Sequence, residues 1–297
     1  MMGKVIAVAN MKGGVGKTAT VVGLAEVLAA SGASVLVLDL DPQASASICL
    51  AGDTLLAQLI EAGRTIDAYL EDRMLGRQRI DLGRCVHPHV SDVTHNGQLL
   101  RIALLASSPA LRLLEREVMF DLTERGYSLN AIVGQLFRLF EGQLERSARD
   151  YEYVLMDCAP GISALTEVAI RSADLVLVPT IPDFLSTYGL QAFCKSLWTG
   201  EIARRTTLAK PPRAHVLITR RRETREQNRT VERMRKERTA TDPAFDLFET
   251  EVPEAAAIPE ALAKTGQWPT FNTKWGSNIV SVLGQLAEET KEALNGA

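Results

Sequence analysis

Met11-Lys12-Gly13-Gly14-Val15-Gly16-Lys17-Thr18 restricts this chain more than any other segment. It nearly matches the phosphate-binding loop G-x-x-x-x-G-K-[ST], with Met11 where the first glycine stands and a second lysine, Lys12, directly after it. The preceding residues, 4–10, form a short apolar run of strand length. Residues 18–30 follow with Val22, Ala25, Val27, Leu28 and Ala29 apolar and read as a helix, closed by Ser31-Gly32. Strand, glycine loop and helix N-terminus together make an anion site, because free backbone N–H groups and the helix dipole face the same point. Gly13, Gly14, Val15, Gly16, Lys17 and Thr18 are therefore read as a nucleotide-binding loop. In that pattern Lys17 reaches the β- and γ-phosphates and the Thr18 hydroxyl ligates Mg²⁺, so ATP and Mg²⁺ are the expected cofactors.

The rest of the chain alternates strand-like apolar runs with helical patterns. The runs lie at 4–9, 34–38, 101–105, 153–156, 174–178 and 214–218, and several are continuously apolar, as in strands covered on both faces. Helices between them predict an α/β fold, a mostly parallel twisted sheet with helices on both faces, of the P-loop NTPase type. Residues 1–297 are expected to form a single domain. Residues 51–98, which mix a helical stretch at 54–70 with a polar segment, are expected to be an insertion on it. The hydrophobic share of 46% is ample for a core, and the net charge of −3 confines any nucleic-acid binding to a local patch. Cys49, Cys85, Cys158 and Cys194 include no C-x-x-C pair, which suits a reducing cytoplasm and argues against disulfides or zinc. No stretch reaches the ~20 apolar residues of a membrane span, and the start of the chain leads straight into the first strand, so no signal peptide is expected.

Two further motifs surround the loop. The run at 34–38 leads into Asp39-Leu40-Asp41-Pro42-Gln43, whose two carboxylates, two residues apart, share one side of an extended segment. They stand at the carboxyl end of a strand, where open α/β sheets bind ligands. A second apolar strand ends in Asp157-Cys158-Ala159-Pro160-Gly161, the Walker B pattern in which the carboxylate helps hold Mg²⁺.

Taken together, K-G-G-V-G-K-T, D-L-D-P-Q and D-C-A-P-G resemble the deviant Walker A ATPases of the ParA/MinD superfamily, and D-x-D-P-Q is closest to the ParA partition branch. Residues 104–111, Val178-Pro179-Thr180, the stretch from Phe184 to Gly189-Leu190, and Val252-Pro253-Glu254 resemble later segments of that family. The resemblance spans about 4–280 apart from 51–98. It implies that Lys12 is the signature lysine, which crosses a dimer interface to the ATP of the other subunit and makes an ATP-sandwich homodimer. It implies that Lys17 binds phosphates within its own subunit, that Asp41 is the catalytic carboxylate acting on the attacking water, that Asp39 and Asp157 support Mg²⁺, and that Pro253 lies near the base. A lysine supplied by the partner acts much as an arginine finger does. Ala19 departs from the family, which usually has a second threonine there, and Asp183-Phe184 stands where many members have Glu-Phe.

Residues 219–238 hold nine basic and four acidic side chains. If 224–238 is a helix, Arg222, Arg225, Arg229, Arg233 and Lys236 recur at spacings of three or four and share a face. With Arg220 and Arg221 they make a candidate surface for DNA phosphates, without sequence readout and steeply salt-dependent. A solvated, salt-bridged helix is the other reading of the same residues. No aromatic interrupts the stripe, so base stacking is not expected.

The end of the chain, 277–294, is amphipathic with an acidic polar end and is expected to pack on the domain, because anionic lipid would repel it. The resemblance thus implies a cytoplasmic, nucleoid-associated ATPase that binds double-stranded DNA nonspecifically as an ATP dimer and has no membrane partner. Its slow hydrolysis is stimulated by an adaptor, ParB-like or a cargo adaptor, and drives plasmid or chromosome partition or positions a protein cargo. Two alternatives stay open: a metabolic P-loop ligase or synthetase of the same fold, and a MinD-like membrane-surface regulator.

Overall fold

A computed structural model of the chain describes residues 3–76, 80–198, 214–241 and 243–296. Its elements in chain order are β1 (Lys4–Val8), α1 (Lys17–Ala30), β2 (Val35–Leu40), α2 (Ser45–Glu61), α3 (Ile66–Met74), α4 (Leu82–Cys85), β3 (Thr94–His95), β4 (Gln98–Leu99) and β5 (Ile102–Leu105). They continue with α5 (Ala110–Glu124), α6 (Leu129–Asp150), β6 (Tyr153–Cys158), α7 (Ala164–Ser172), β7 (Leu175–Thr180), α8 (Phe184–Thr187) and α9 (Leu190–Trp198). The last are β8 (Ala214–Arg221), α10 (Arg225–Arg238), β9 (Asp246–Pro253), α11 (Ala257–Leu262) and α12 (Phe271–Asn295).

Seven strands form one sheet in the order β5-β2-β6-β1-β7-β8-β9, and every neighbouring pair is parallel. The continuously apolar strands are sorted by the two-residue period of the pleat. Val5, Ala7, Leu36, Leu38, Val154, Met156, Val176 and Val178 point to one face, where α3, α5, α6, α7, α9 and α10 close a core. Ile6, Val8, Val35, Val37, Leu155, Leu175 and Leu177 point to the other, covered by α1, α2, α11 and α12. This is the expected α/β sheet with helices on both faces, and the six strand-like runs all lie in it. β6, β7 and β8 run beyond the expected ends, so Asp157 and Thr180 are still in ladder register.

Three features depart from expectation. β9 was not among the strand-like runs. It is an edge strand, and its sequence Asp-Leu-Phe-Glu-Thr-Glu-Val-Pro keeps charges on the solvent side instead of forming an apolar run. The helical stretch at 54–70 is two helices, because Gly63 takes φ 62° and the Thr65 hydroxyl caps α3 by accepting the Ala68 N–H. The final helix begins at Phe271, six residues before the expected start, and bends at Gly276 (φ 73°).

Residues 51–98 pack on both faces of the sheet. Leu56, Leu59, Val90 and Val93 join one core, while Ile66, Tyr69, Leu70, Leu82 and Val86 join the other. Their backbone also covers the free edge of β5: His87 and Leu104 exchange N–H···O bonds of 2.8 and 2.9 Å, and the Val90 N–H donates to Ile102. Among the described residues, no helix is long and apolar enough to cross a membrane.

Candidate nucleotide-binding site

The loop between β1 and α1 is held from below. Asn10, buried at the end of β1, donates its Nδ2–H to the Pro179 carbonyl at 2.8 Å and accepts the Lys12 N–H on Oδ1 at 3.0 Å. The Val15 carbonyl accepts the Thr219 hydroxyl at 2.7 Å, which ties the loop to the end of β8. Gly14 and Gly16 have φ of 74° and 90°, conformations that a side chain would strain, so glycine is required there for the shape of the cradle.

Lys17 opens α1 with only 6% of its surface exposed, and its Nζ donates to the Lys12 carbonyl at 2.9 Å. Burial lowers its pKa, against the pull of the nearby Asp157 and Asp41 carboxylates. The Thr18 hydroxyl donates to Asp157 Oδ2 at 2.8 Å. Lys12 is half-buried, and its ammonium has no hydrogen bond or ion pair among the described residues. Pro253 lies at the end of β9 opposite Arg221 of β8, and the Glu254 N–H closes that end on the Arg221 carbonyl at 3.0 Å.

The carboxylates divide into three environments. Asp39 and Asp157 are register neighbours on β2 and β6, and both are buried. Asp157 Oδ1 has no hydrogen-bond partner. Burial, then the Asp39 charge, raises the Asp157 pKa well above its ordinary value. Asp39, expected to support Mg²⁺ through its waters, has both oxygens in hydrogen bonds. Its Oδ2 accepts both the Ser47 N–H (2.8 Å) and the Ser47 hydroxyl (2.7 Å), and its Oδ1 accepts the Asp41 N–H (3.1 Å). Its oxygens are engaged by the chain itself, and burial pushes its pKa up to about 6. Asp41 is half-buried, and its Oδ1 accepts the Gln43 N–H at 2.9 Å.

An unpartnered buried carboxylate oxygen beside a threonine hydroxyl is the donor set that a hard, oxygen-seeking cation requires. Thr18 and Asp157 therefore fit Mg²⁺, which commonly takes one or two protein oxygens and fills its remaining positions from substrate phosphates and water. Without a cation the crowded acids cost stability. A carboxyl whose folded pKa exceeds its unfolded value near 3.8 stabilises the fold below that value and loses the contribution as pH rises through the folded pKa. Asp157→Asn, which keeps an acceptor for Thr18, is thus expected to raise the melting temperature of the ligand-free chain near pH 7 by a few degrees. The same change is expected to weaken Mg²⁺-dependent nucleotide binding by roughly 10-fold or more. Paired thermal melts and nucleotide titrations with and without Mg²⁺ check both; an unchanged Mg²⁺ dependence contradicts the assignment.

The arginines do not form one stripe. Arg220, a non-glycine residue at φ 49°, and Arg222 both pair with Glu254. Arg221 is bound to Glu251 at 2.7 Å and is only 16% exposed. Arg235 pairs with Glu251, and Arg238 with Glu249. The partners come from the β9 segment, not from the four glutamates within 219–238, and without β9 among the expected strands they were invisible. Arg220, Arg221 and Arg222, expected as open phosphate ligands, are ion-paired in the structure. Arg225, Arg229, Arg233 and Lys236 remain exposed on α10, and Arg225 and Arg229 have no ion pair among the described residues.

Beside Lys12 lies a cleft of about 560 Å³, lined also by Met11, Ile162, Tyr188 and Phe193. Met11, Ile162 and Tyr188 are 51%, 43% and 76% exposed, an apolar rim around a phosphate loop. Sequence reasoning did not single out this rim, Ser47 or Thr219, because each gains its meaning from residues distant in sequence.

Residues 3–208 match the AAA domain family. The chromosome partitioning protein ParA of Myxococcus xanthus is 29% identical over 189 residues, covering 64% of this chain and 56% of that protein, so the chain spans little more than half the length of this relative. The apo McdA structure from Cyanothece superposes with a TM-score of 0.69 at 18% identity, covering 98% of this chain and 99% of that one. A structure of pNOB8 ParA bound to nonspecific DNA superposes with a TM-score of 0.66 at 19% identity, covering 99% of each chain. With the family match spanning well over half its length and the loop, Asp41 and Asp157 motifs placed at one sheet edge, the chain belongs to the AAA domain family as a ParA-like member of the ParA/MinD superfamily.

Proposed function

We propose that this chain is a ParA-type ATPase that binds Mg·ATP, pairs with a second copy through the Lys12 face, and in that state binds double-stranded DNA without sequence preference. The observation that carries the reading is the division of the two lysines. Lys17 is held inside its own loop, while the Lys12 ammonium has no partner among the described residues and shares a cleft with the exposed apolar side chains of Met11, Ile162 and Tyr188. An apolar rim around a free cation at a phosphate site is what a second copy would cover. Lys12 would then complete the site of its partner, and hydrolysis would depend on pairing.

The nucleotide site is built from Gly13, Gly14, Val15, Gly16, Lys17 and Thr18, with Pro253 toward the base. Asp41 orients the attacking water, and Lys17 and Lys12 offset charge on the phosphates. Thr18 and Asp157 would hold Mg²⁺, which when bound neutralises phosphate charge. The biological output is movement or positioning of a DNA or protein cargo over the nucleoid, with an adaptor stimulating hydrolysis.

The DNA surface is proposed at Arg225, Arg229 and Arg233 of α10. This reading draws support from the pNOB8 ParA neighbour, whose structure holds nonspecific DNA. Binding to a random-sequence duplex should appear with ATP or a slowly hydrolysed analogue, be lost with ADP, and fall steeply with salt. Arg225→Glu/Arg229→Glu is expected to weaken it by roughly 10-fold to 100-fold, since each phosphate contact adds to the salt-dependent term, while nucleotide affinity stays unchanged. Liposome sedimentation run in parallel tests the membrane alternative. Equal DNA binding in all nucleotide states, or none in any, would sink the reading.

A further inference from the structure

Asp39 and Ser47 form a buried connection beneath the reacting centre. Ser47 lies in the first turn of α2, where N–H groups lack helical partners, and the residue before that helix, Ala44, gives no side-chain cap. Asp39 supplies the missing acceptor from the end of β2, taking both the N–H and the hydroxyl of Ser47 on one oxygen. Its other oxygen takes the backbone N–H of Asp41. The Ser47 hydroxyl accepts in turn the Ser107 N–H at 3.0 Å, from the loop after β5. Asp39 and Ser47 are both fully buried, so neither contacts a ligand in solution. Between Asp41 and α2 the chain is fixed again, by Ala44 N–H to the Asp41 carbonyl and Gln43 N–H to Asp41 Oδ1.

We propose that Ser47, acting through Asp39, is a positioning residue that fixes the backbone of Asp41 and so aims its carboxylate. The proposal rests on the reading of Asp41 as the residue that orients the attacking water. It removes Asp39 from the metal shell and gives it the work of a bracket, with Ser47 and Ser107 as its anchorage across β2, α2 and β5. None of the bracket's hydrogen bonds reaches residues 11–18, and only the Asp39 charge bears on that loop, through Asp157 and its bond to Thr18. Loss of those hydrogen bonds therefore falls on the chemical step and spares nucleotide binding. Supporting groups around a reactive residue typically contribute roughly 10-fold to 100-fold to activity.

The experiment is steady-state ATP hydrolysis by the full chain, with the affinity of a fluorescent, slowly hydrolysed ATP analogue measured in parallel. Ser47→Ala is expected to lower kcat by roughly 10-fold or more while KM and analogue affinity stay within about twofold. Asp39→Asn keeps the Ser47 hydroxyl but turns one acceptor into a donor, and it should lower kcat likewise; because it also removes a charge beside Asp157, Ser47→Ala is the variant whose affinity is read. Because both changes break one connection, the double variant should lose little more than the worse single. The proposal is overturned if Ser47→Ala keeps the parental kcat, if Ser47→Ala binds the analogue tenfold more weakly, or if the two losses in kcat multiply. Asp41→Ala is the calibration. A parent chain that does not hydrolyse ATP, or an Asp41→Ala variant with full turnover, overturns the functional reading itself, which is a different result from a silent Ser47→Ala.

Discussion

Replacing Lys12 by alanine is expected to lower ATP turnover by roughly 10³-fold, the lower end of what a charge supplied by a partner contributes in phosphoryl transfer, with nucleotide affinity within about threefold of the parent. The structure separates the two quantities. What Lys12 gives its own loop is backbone: its N–H binds Asn10 and its carbonyl receives the Lys17 ammonium. Alanine keeps both bonds, so the cradle and the placement of Lys17 survive. What alanine removes is the ammonium, which has no partner among the described residues. Lys17→Ala is the opposite case. It deletes the buried cation of the cradle and leaves a cavity beside Asp157, so nucleotide binding itself should fall by at least about 100-fold, the loss of a close charge-assisted contact. Single-turnover hydrolysis and equilibrium nucleotide binding on the two variants give the comparison. Full turnover by Lys12→Ala would show that the uncommitted lysine takes no part in the chemistry.

The candidate site was readable as a motif because its parts are local. A glycine loop, a lysine and a threonine in eight consecutive residues carry their geometry with them, and an acid after an apolar strand falls at the carboxyl edge of a parallel sheet whatever the rest of the fold does. The apolar runs likewise marked six strands of the parallel sheet, whereas the strand order in it, β5-β2-β6-β1-β7-β8-β9, came only from the structure. What the sequence hid is what depends on long-range pairing. Arg221 and Glu251 are 30 positions apart, and their ion pair exists only because β9 adds to the sheet edge beside β8. A helical stripe read on its own therefore overstated the open positive surface. Asp39 and Asp41 share one side of an extended segment, and the sequence does not show how each is held. Only the seat of α2, eight residues on, shows that one is fully buried against Ser47 and the other half-buried.

The hinge between these regions is the end of β8. Thr219 binds the phosphate loop through Val15, Arg220 takes a left-handed conformation, and the next two arginines turn toward Glu251 and Glu254. A non-glycine residue with positive φ between a loop anchor and a charge cluster is strain kept in place by contacts on both sides. The ladder to β9 is irregular at the same point, with register shifts on either side of Ile218. The loop after β1 and the base of α10 thus share one short segment.

Lys274→Met is expected to destabilise the chain by about 3–5 kcal/mol, the usual cost of removing one partner from a buried ion pair. α1 is apolar on nearly every side, yet Glu26 lies in it with 1% of its side chain exposed. Two groups from the start of α12 meet it: the Lys274 ammonium at 2.6 Å from Oε1, and the Trp275 indole N–H at 2.6 Å from Oε2. Burial still raises the Glu26 pKa, against the opposing pull of Lys274, so the carboxylate depends on that ammonium to remain charged. Methionine fills much the same volume but leaves Glu26 to the indole alone. For a chain of this size the loss corresponds to a melting temperature lower by roughly 5–10 °C. Glu26→Gln/Lys274→Met keeps an acceptor for Trp275 and removes both charges, and it should recover at least half of the loss, because replacing a whole buried pair costs far less than orphaning one member. Urea unfolding of the parent, the single and the double variants reads the three values directly. A single variant within about 1 kcal/mol of the parent would mean the pair behaves as an exposed one, and α12 would then be held on α1 by apolar packing such as that of Trp275, Ile279 and Leu283.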